Sequence, residues 1–222
     1  MGPVFCAWFV DSDRVHFVHI CYLSAMQLIE EKHPPWYHDI PCMKTLILGS
    51  FPPHRDKWDY PFYYPNSQNR FWGILAQLAE LPLQHTKHDP SASVAERKAI
   101  MERLCVGIQN IGARIRRKGK SSLDTDIEII GFQDILANIR RHPELRRILL
   151  PGYSAKHSTY SGFMRYLTEN GIAVPRIKPA PNAQFTILVD GRHIECVVLN
   201  STSTASLVSR EVVLEQFRTH IV

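Results

Sequence analysis

The chain has 222 residues, 45% of them hydrophobic, and a formal net charge of +5 at pH 7. This length fits one α/β domain or two small ones, with ample hydrophobic residues for a core, and the charge mildly favours an anionic partner. No hydrophobic run approaches the roughly 18 residues that a membrane-spanning helix needs, so we expect no membrane partner.

The N-terminal segment differs in character from the rest of the chain. Residues 1–25 are rich in hydrophobic and aromatic side chains, but Asp11, Asp13 and Arg14 interrupt them. The segment lacks the basic start and the small-residue cleavage site of a secretory signal. We interpret it as a mis-assigned start or a peripheral extension, with a genuine first strand or hairpin as the alternative. Residues 26–222 are expected to form a single domain, because no stretch in them resembles a hinge.

Helical and β patterns alternate along the chain. Residues 27–32 predict a short helix, which Pro34 and Pro35 end. A buried strand at 44–48 follows, and then helices at 71–81 and 94–105. A strand at 107–115 leads into a basic loop, and a helix at 132–141 and a strand at 147–150 come next. The last predicted elements are a helix at 154–170 that Gly171 caps, a hairpin within 185–200 and a closing helix at 207–221. This alternation predicts an α/β fold with a mainly parallel sheet.

A long loop, residues 49–70, separates the first predicted strand from the helix that follows; we call it the aromatic loop. Its rings and amides are Tyr60, Phe62, Tyr63, Tyr64, Asn66, Gln68 and Asn69. Long loops in compact domains are usually functional, and sites in α/β proteins lie at the carboxyl ends of strands. Rings can stack on a planar ligand while amides hold its edge or a water, which suits a nucleobase. The alternative is a structural loop whose rings only fill the core.

A second loop, residues 201–206, lies between the hairpin and the closing helix; we call it the serine loop. Hydroxyls and backbone N–H groups at a helix N-terminus make an anion site. The alternative is ordinary N-capping by Ser203, Thr204 or Ser206. Because both loops follow strands, they favour one shared cleft.

A basic run joins these loops as a candidate for contact with phosphate groups. Its members are Arg114, Arg116, Arg117, Lys118 and Lys120. Cationic side chains clustered in this way bind a nucleic-acid backbone, or else they form an ordinary solvated loop.

Other chemistries find little support in the sequence. The five cysteines are widely spaced without a C-x-x-C pair, which argues against a disulfide framework, a zinc ribbon or an iron–sulfur cluster and favours a reducing, cytoplasmic location. Cys105 and Cys196 have hydrophobic neighbours and are expected in the core. Two histidine pairs have metal-like spacing, His16 with His19 and His85 with His88, but neither has carboxylate or cysteine side chains in an obvious metal-ligand pattern. We therefore expect no metal.

The motifs ILGSFPP and YYPNSQNRFW, followed by LNSTSTAS, resemble the first and second motifs of the uracil-DNA glycosylase superfamily. The likeness is closest to the hypoxanthine/uracil-DNA glycosylase and mismatch-specific branches. It runs from about residue 44 to the C-terminus and includes GKSSLDTDI and ILLPGYSA. The resemblance implies a three-layer αβα fold with a central, mostly parallel four-stranded sheet. It also implies hydrolysis, without any cofactor, of the N-glycosidic bond of a deaminated base flipped out of DNA.

The resemblance also implies roles for residues of the aromatic loop. Asn69 would be catalytic by holding a water, because it matches the Asn before x-F-W that has this role in the hypoxanthine branch. Phe51 stands where the mismatch-specific branch has its water-holding Asn. Tyr64 would stack on the flipped base. The remaining base-binding positions would be Gly49, Ser50, Phe51 and Pro52. Pro53 stands where a glycine is usual and would narrow the entrance.

In the serine loop, Ser201 is the second implied catalytic residue. It matches a position that is often His or Asn in relatives, so stabilisation of the leaving base would fall to backbone N–H groups. Ser203 would contact a phosphate. Ala205 stands where some relatives have a side chain that intercalates between bases, and the nearby Leu207 would take over that role. The implied DNA-binding residues are Ser203, Ala205, Ser206, Leu207, Arg116, Arg117 and Lys118.

These inferences predict a monomeric, monofunctional DNA glycosylase of base-excision repair that acts on uracil or hypoxanthine in double- or single-stranded DNA. A nucleic-acid-binding protein that has lost catalysis is the first alternative, given Phe51 and Ser201. A small-molecule nucleosidase on the same fold is the second. If the main prediction holds, Asn69 and Ser203 should face one cleft, on the order of 10 Å apart.

Overall fold

The computed structural model describes residues 28–84, 88–154 and 156–221. The interpretation of residues 1–25 and the pairings of His16, His19 and His85 concern residues outside these ranges. Within them, no helix has the length and hydrophobicity required to cross a membrane.

The described residues form eight strands and five α-helices. The strands are β1 (Leu28–Lys32), β2 (Thr45–Gly49), β3 (Val106–Asn110), β4 (Gly112–Lys118), β5 (Ile127–Phe132), β6 (Arg147–Pro151), β7 (Gln184–Val189) and β8 (Arg192–Leu199). The helices are α1 (Phe71–Ala79), α2 (Pro90–Leu104), α3 (Ile135–Arg141), α4 (Thr159–Glu169) and α5 (Arg210–Ile221). The predicted α/β class is confirmed.

The central sheet has five strands in the order β3-β2-β6-β8-β7. The first four are mutually parallel, and β7 runs antiparallel to β8. The predicted sheet of four strands is therefore wrong by one edge strand, because both arms of the hairpin stay in the sheet. In register, Gly49 lies beside Asn110 and Pro151 beside Leu199, so these strand ends share one edge.

Burial explains why this sheet lies at the centre. Leu46, Ile47 and Leu48 of β2 are completely buried, as are Ile148 and Leu149 of β6. Because successive strand residues point to opposite faces, both faces of the sheet must be covered. Helix α1 packs against α2 and α5, while α4 contacts β6.

A second sheet, in the order β1-β4-β5, is antiparallel and was not predicted. Residues 27–32 were predicted to be helical, but residues 28–32 form β1. In it, Glu30 lies opposite Arg116, so pairing across strands outweighs local helix propensity. The predicted strand at 107–115 is in fact β3 followed by β4. The basic run from Arg114 to Lys118 therefore lies on a strand rather than in a loop, and only Lys120 follows the strand.

Several local predictions are confirmed by the backbone. The hairpin of β7 and β8 turns at Asp190 and Gly191, both with positive φ, as a two-residue hairpin turn requires. Gly171, with φ of 71°, ends α4 as predicted. That helix begins only at Thr159, where the Ser158 hydroxyl caps it.

One disulfide contradicts the argument from cysteine spacing. Cys42, just before β2, is bonded to Cys105 at the end of α2, across 63 residues of sequence. Their Cα atoms are 5.3 Å apart, a proximity that the fold creates and that sequence spacing could not reveal. Cys196 is buried, as predicted.

Candidate functional site

A cleft of about 840 Å³ opens at the carboxyl edge of the parallel strands. Gly49, Asn110 and Pro151 bring the ends of β2, β3 and β6 to it, and Ser201 brings the chain that leaves β8. Sites in open α/β sheets lie at this edge because the loops after parallel strands converge there.

The structure brings together most of the residues implied by the resemblance. The cleft is lined by Gly49, Ser50, Phe51, Pro52, Tyr64, Asn69, Ser201 and Ser203. The lining does not include Ala205, Ser206, Leu207, Arg116, Arg117 or Lys118. Both loops thus border one cleft, although the residues beyond Thr204 and the basic run stand away from it.

The aromatic loop is held in place by rings that face the core. Tyr60, Phe62 and Tyr63 are at most 3% exposed. The Tyr60 hydroxyl donates a hydrogen bond to the Tyr64 carbonyl at 2.5 Å, and the Arg97 guanidinium lies 3.8 Å from the centre of the Tyr60 ring. For these three rings the structural alternative is correct, which leaves Tyr64 as the ring that lines the cleft.

Tyr64 is held with one face covered. Its ring stacks on Phe71, with centroids 3.7 Å apart and planes inclined by 12°. Its φ of 48° is unusual for a residue with a side chain and follows from the tight course of the loop. Burial, and then the neighbouring Asp124, raises the pKa of the phenol, so it stays neutral. Because Phe71 occupies one face, the opposite face is the one on which a planar ligand could stack.

Asn69 is fixed at the start of α1. Its Oδ1 accepts a hydrogen bond from the Phe71 N–H at 2.9 Å, and its own N–H donates to the Asn66 carbonyl at 3.0 Å. A carboxamide oxygen has two lone pairs, so Oδ1 can still accept a hydrogen bond from a water. The residue is therefore oriented before any ligand arrives.

Arg70 joins the two loops and was missed by the sequence analysis. Its guanidinium donates to the carbonyls of Thr202 at 3.3 Å, Ser203 at 2.7 Å and Val208 at 2.6 Å. Its backbone N–H also donates to the Thr202 carbonyl. No pattern near Arg70 could reveal this role, because its partners are main-chain atoms about 130 residues away.

The serine loop is built from short turns in which hydroxyls bond to nearby backbone. Ser201 Oγ accepts from the Ser203 N–H, and Ser203 Oγ from the Ala205 N–H, both at 3.2 Å. Helix α5 starts only at Arg210, and Ser209 Oγ accepts from the Val212 N–H at 3.4 Å. The predicted caps Ser203, Thr204 and Ser206 are thus replaced by Ser209.

Leu207 projects fully into solvent from the end of the serine loop. Because this side chain packs against nothing, its removal should not change the stability of the fold. This placement is compatible with an intercalating role, which stays a prediction.

Asn110 is a second residue that the sequence analysis missed. It is 7% exposed, and its Oδ1 lies 2.9 Å from His33 Nε2, while His33 Nδ1 lies 2.5 Å from the Pro34 carbonyl. Burial lowers the pKa of His33. A Cβ at position 49 would come within 2.7 Å of the Asn110 amide nitrogen, so any larger residue there would have to displace the Asn110 side chain. A polar residue at the end of a buried strand can indicate a site residue. This indication was missed because one continuous strand was predicted at 107–115, whereas β3 ends at Asn110.

Asp124 is the third residue missed, although it lies in the GKSSLDTDI stretch. It lines the cleft, and its Oδ1 accepts a hydrogen bond from Ser50 Oγ at 2.7 Å. Burial raises the pKa of its carboxyl, and the bond from Ser50 partly opposes this. Among the described residues, no cluster of three or more His, Cys, Asp or Glu side chains could hold a metal ion.

The basic run has a different environment from the one that the sequence suggested. On a strand, alternate residues face opposite sides, so Arg117 points inward and is only 1% exposed. It donates to Glu31 and to the carbonyls of Ser121 and Pro52. Contact between Arg117 and a phosphate is therefore excluded in this conformation.

Two outward members of the run, Arg116 and Lys118, face carboxylates. Arg116 lies 3.1 Å from Glu30 and 3.8 Å from Glu128, and Lys118 lies 3.8 Å from Asp126. These neighbours reduce the positive potential that the sequence alone suggested, so phosphate contact by Arg116 and Lys118 stays a prediction.

Comparison with known proteins supports the fold. No protein-family model and no curated protein matches the chain. Among solved structures, the chain is similar to the solution NMR structure of a protein from Methanosarcina acetivorans that bears the provisional name uracil DNA glycosylase. The TM-score is 0.55 and the sequence identity 21%, over 86% of this chain and 98% of that one. At this identity the comparison establishes likeness of fold.

Proposed function

We propose that this protein is a DNA N-glycosylase that hydrolyses the bond between a deaminated base, uracil or hypoxanthine, and its deoxyribose. The observation that carries the proposal is the meeting of Tyr64, Asn69 and the serine loop at one cleft. The fold likeness to the protein from Methanosarcina acetivorans supports it.

The geometry suits each step of such a reaction. A base turned out of the duplex would stack on the open face of Tyr64, opposite Phe71. Asn69, held by the Phe71 N–H, would orient a water toward the sugar. The serine loop, fastened by Arg70, would hold the strand on either side of the flipped nucleotide.

The test is single-turnover cleavage of oligonucleotides that contain uracil, hypoxanthine, xanthine or a thymine mismatch. Asn69→Ala should lower the rate on the preferred base by about 10²–10⁴-fold, because a positioned hydrogen-bonding group is lost. Duplex binding should remain nearly intact. Asn182→Gly, which changes an asparagine outside the cleft lining at a positive φ that glycine accepts, is the control. Unchanged cleavage by Asn69→Ala would remove Asn69 from the mechanism.

The same experiment separates the two rival functions. A binding protein without catalysis would bind these duplexes with a salt-dependent affinity and leave every base in place. A nucleosidase would release bases from free nucleosides and show no salt-sensitive duplex binding. Two residues favour the binding protein: Phe51, whose ring packs against His33 and cannot hold a water, and Ser201, which replaces the His or Asn that is common in relatives.

A further inference from the structure

Two carboxylates that line the cleft, Asp59 and Asp124, have no cationic partner among the described residues, and Asp59 Oδ2 accepts two hydrogen bonds from Ser67. Asp124 begins the short 3-10 helix Asp124–Asp126, between β4 and β5, and is anchored by the Ser50 hydroxyl at 2.7 Å. That hydroxyl satisfies Oδ1. Among the described residues, no Lys, Arg or His lies within ion-pair distance of Asp124, whereas nearby Asp126 has Lys118 and Asp56 has Lys120.

The negative charge of Asp124 is unfavourable for the stability of the folded protein and for the binding of DNA. Burial disfavours the charged form of a carboxyl, which is why the pKa of Asp124 is raised. A negative charge in the cleft would also repel the phosphates of a nucleic acid. A half-buried carboxylate with a perturbed pKa in a cleft is typical of functional groups, because the cost is offset when an opposite charge appears next to it.

We propose that Asp124 is a catalytic residue, whose carboxylate stabilises the positive charge on the deoxyribose and accepts a proton from the attacking water. This inference rests on the proposed function. The C1′–N bond breaks and its electron pair leaves with the base, so C1′ becomes cationic. The water oxygen then bonds to C1′ and its proton passes to Asp124. Asp124 then releases this proton to solvent and the departing base takes one up from solvent, so the carboxylate is regenerated and the net reaction is hydrolysis.

The position of Asp124 in the site fits this role. Ser50 follows Gly49 at the end of β2, so its hydroxyl ties the carboxylate to the rigid edge of the sheet. Asp124 is also close enough to Tyr64 to influence the phenol electrostatically. A base stacked on Tyr64 would therefore place its sugar in the same cleft as the carboxylate. Phe51 cannot supply a polar group from the first motif, and Asp124 supplies one from another part of the chain.

Binding of a charged transition-state mimic tests the inference without requiring turnover. We would measure the affinity for duplexes that carry one pyrrolidine abasic nucleotide, which is cationic, or one tetrahydrofuran abasic nucleotide, which is neutral. The intact protein should prefer the cationic nucleotide by about tenfold or more, as expected for a mimic of the transition state. Asp124→Asn should lose this preference. Asp126→Asn, which changes a neighbouring carboxylate outside the cleft lining, should keep it.

Cleavage supplies the second readout. Asp124→Asn should slow single-turnover cleavage by about 10²–10⁴-fold. In the intact protein the rate should fall as acid protonates Asp124, and Asp124→Asn should lack that acid limb. Ser50→Ala, which removes the bond to the carboxylate, should move the limb to higher pH.

The outcomes distinguish this inference from the proposed function. Normal cleavage by Asp124→Asn, or an unchanged preference for pyrrolidine, would overturn the inference and leave the glycosylase proposal standing. Absence of cleavage by the intact protein, together with a pyrrolidine preference that depends on Asp124, would overturn the glycosylase proposal and support the carboxylate as a cation-binding group.

Discussion

The two loops that border the cleft are stabilised in opposite ways. The aromatic loop carries its own anchors, because Tyr60 and Tyr63 are buried in the core and the Trp72 indole donates to the Tyr63 carbonyl at 2.8 Å. The serine loop has no ring and no buried hydrophobic side chain. Its hydroxyls bond to its own backbone, and its strongest external anchor is Arg70 of the aromatic loop.

This difference shows how one site can combine a loop held rigidly by the core with a loop whose position depends on the first. Once the core has folded, its buried rings hold the aromatic loop in a fixed position. The serine loop obtains its position from a guanidinium whose five donors can satisfy several carbonyls at once. Damage to the first loop should therefore disturb both, whereas damage to the second should remain local.

The largest effect is expected from removing an anchor of the aromatic loop. Tyr60→Ala deletes a buried ring, its contact with Arg97 and its bond to the Tyr64 carbonyl. We expect a loss of about 4 kcal/mol in the free energy of unfolding, measured by urea denaturation. Leu207→Ala, at the exposed end of the serine loop, is the control and should leave stability unchanged. Equal losses in both variants would contradict the comparison.

Arg70→Met breaks the connection between the loops. Three carbonyls of the chain around the serine loop lose a charged donor, so we expect a loss of about 2–3 kcal/mol in stability. Hydrogen exchange should increase in the serine loop more than in the aromatic loop. Arg218→Met, which removes an exposed ion pair with Glu215, should have little effect. Uniform exchange in both loops would show that Arg70 does not anchor one to the other.

Tyr64 tests the ligand-facing side of the aromatic loop. Tyr64→Ala should weaken binding of a duplex with a flipped base by about 2 kcal/mol, because stacking on the ring is lost. Tyr64→Phe keeps the ring and should be mild in the same titration. If both variants were equally damaging, the hydroxyl rather than the ring would be the important group.

The smallest effect is expected from His33, which packs against Phe51 at the start of the aromatic loop. Burial lowers the pKa of His33 in the folded state, so protons bind the unfolded state more readily. Stability should therefore fall as the pH drops below 6.5, the ordinary value for histidine. His33→Gln should lose less stability than the intact protein between pH 7.5 and 5.5. The pKa values of His157 and His220 are also lowered, but both residues are present in both proteins, so their effects on the pH dependence of stability cancel in the comparison.

Sequence reasoning succeeded where periodicity or a local turn decides the structure. The strand at Thr45–Gly49 and the hairpin of β7 and β8 depend on neighbouring residues, and both were predicted. It failed where the decisive partner is remote. The strand at Leu28–Lys32 exists because β4 lies beside it.

The candidate site follows the same division. The motifs indicated Tyr64 and Asn69, which line the cleft. They gave no role to Arg70, Asn110 or Asp124, because the importance of each comes from a group more than 70 residues away. A carboxylate in a short polar turn looks like any solvated acid until the fold surrounds it.

Arg117 has a practical consequence for anyone who shortens this chain. Its buried guanidinium is neutralised by Glu31 of β1, at 2.7 Å. A fragment that begins at residue 43, just before the first parallel strand, would keep the cleft lining but lose Glu31. The buried cation would then lack its partner, a change that typically costs about 3–5 kcal/mol. Such a fragment should express poorly or aggregate, and the smallest autonomous unit should therefore begin at or before Leu28.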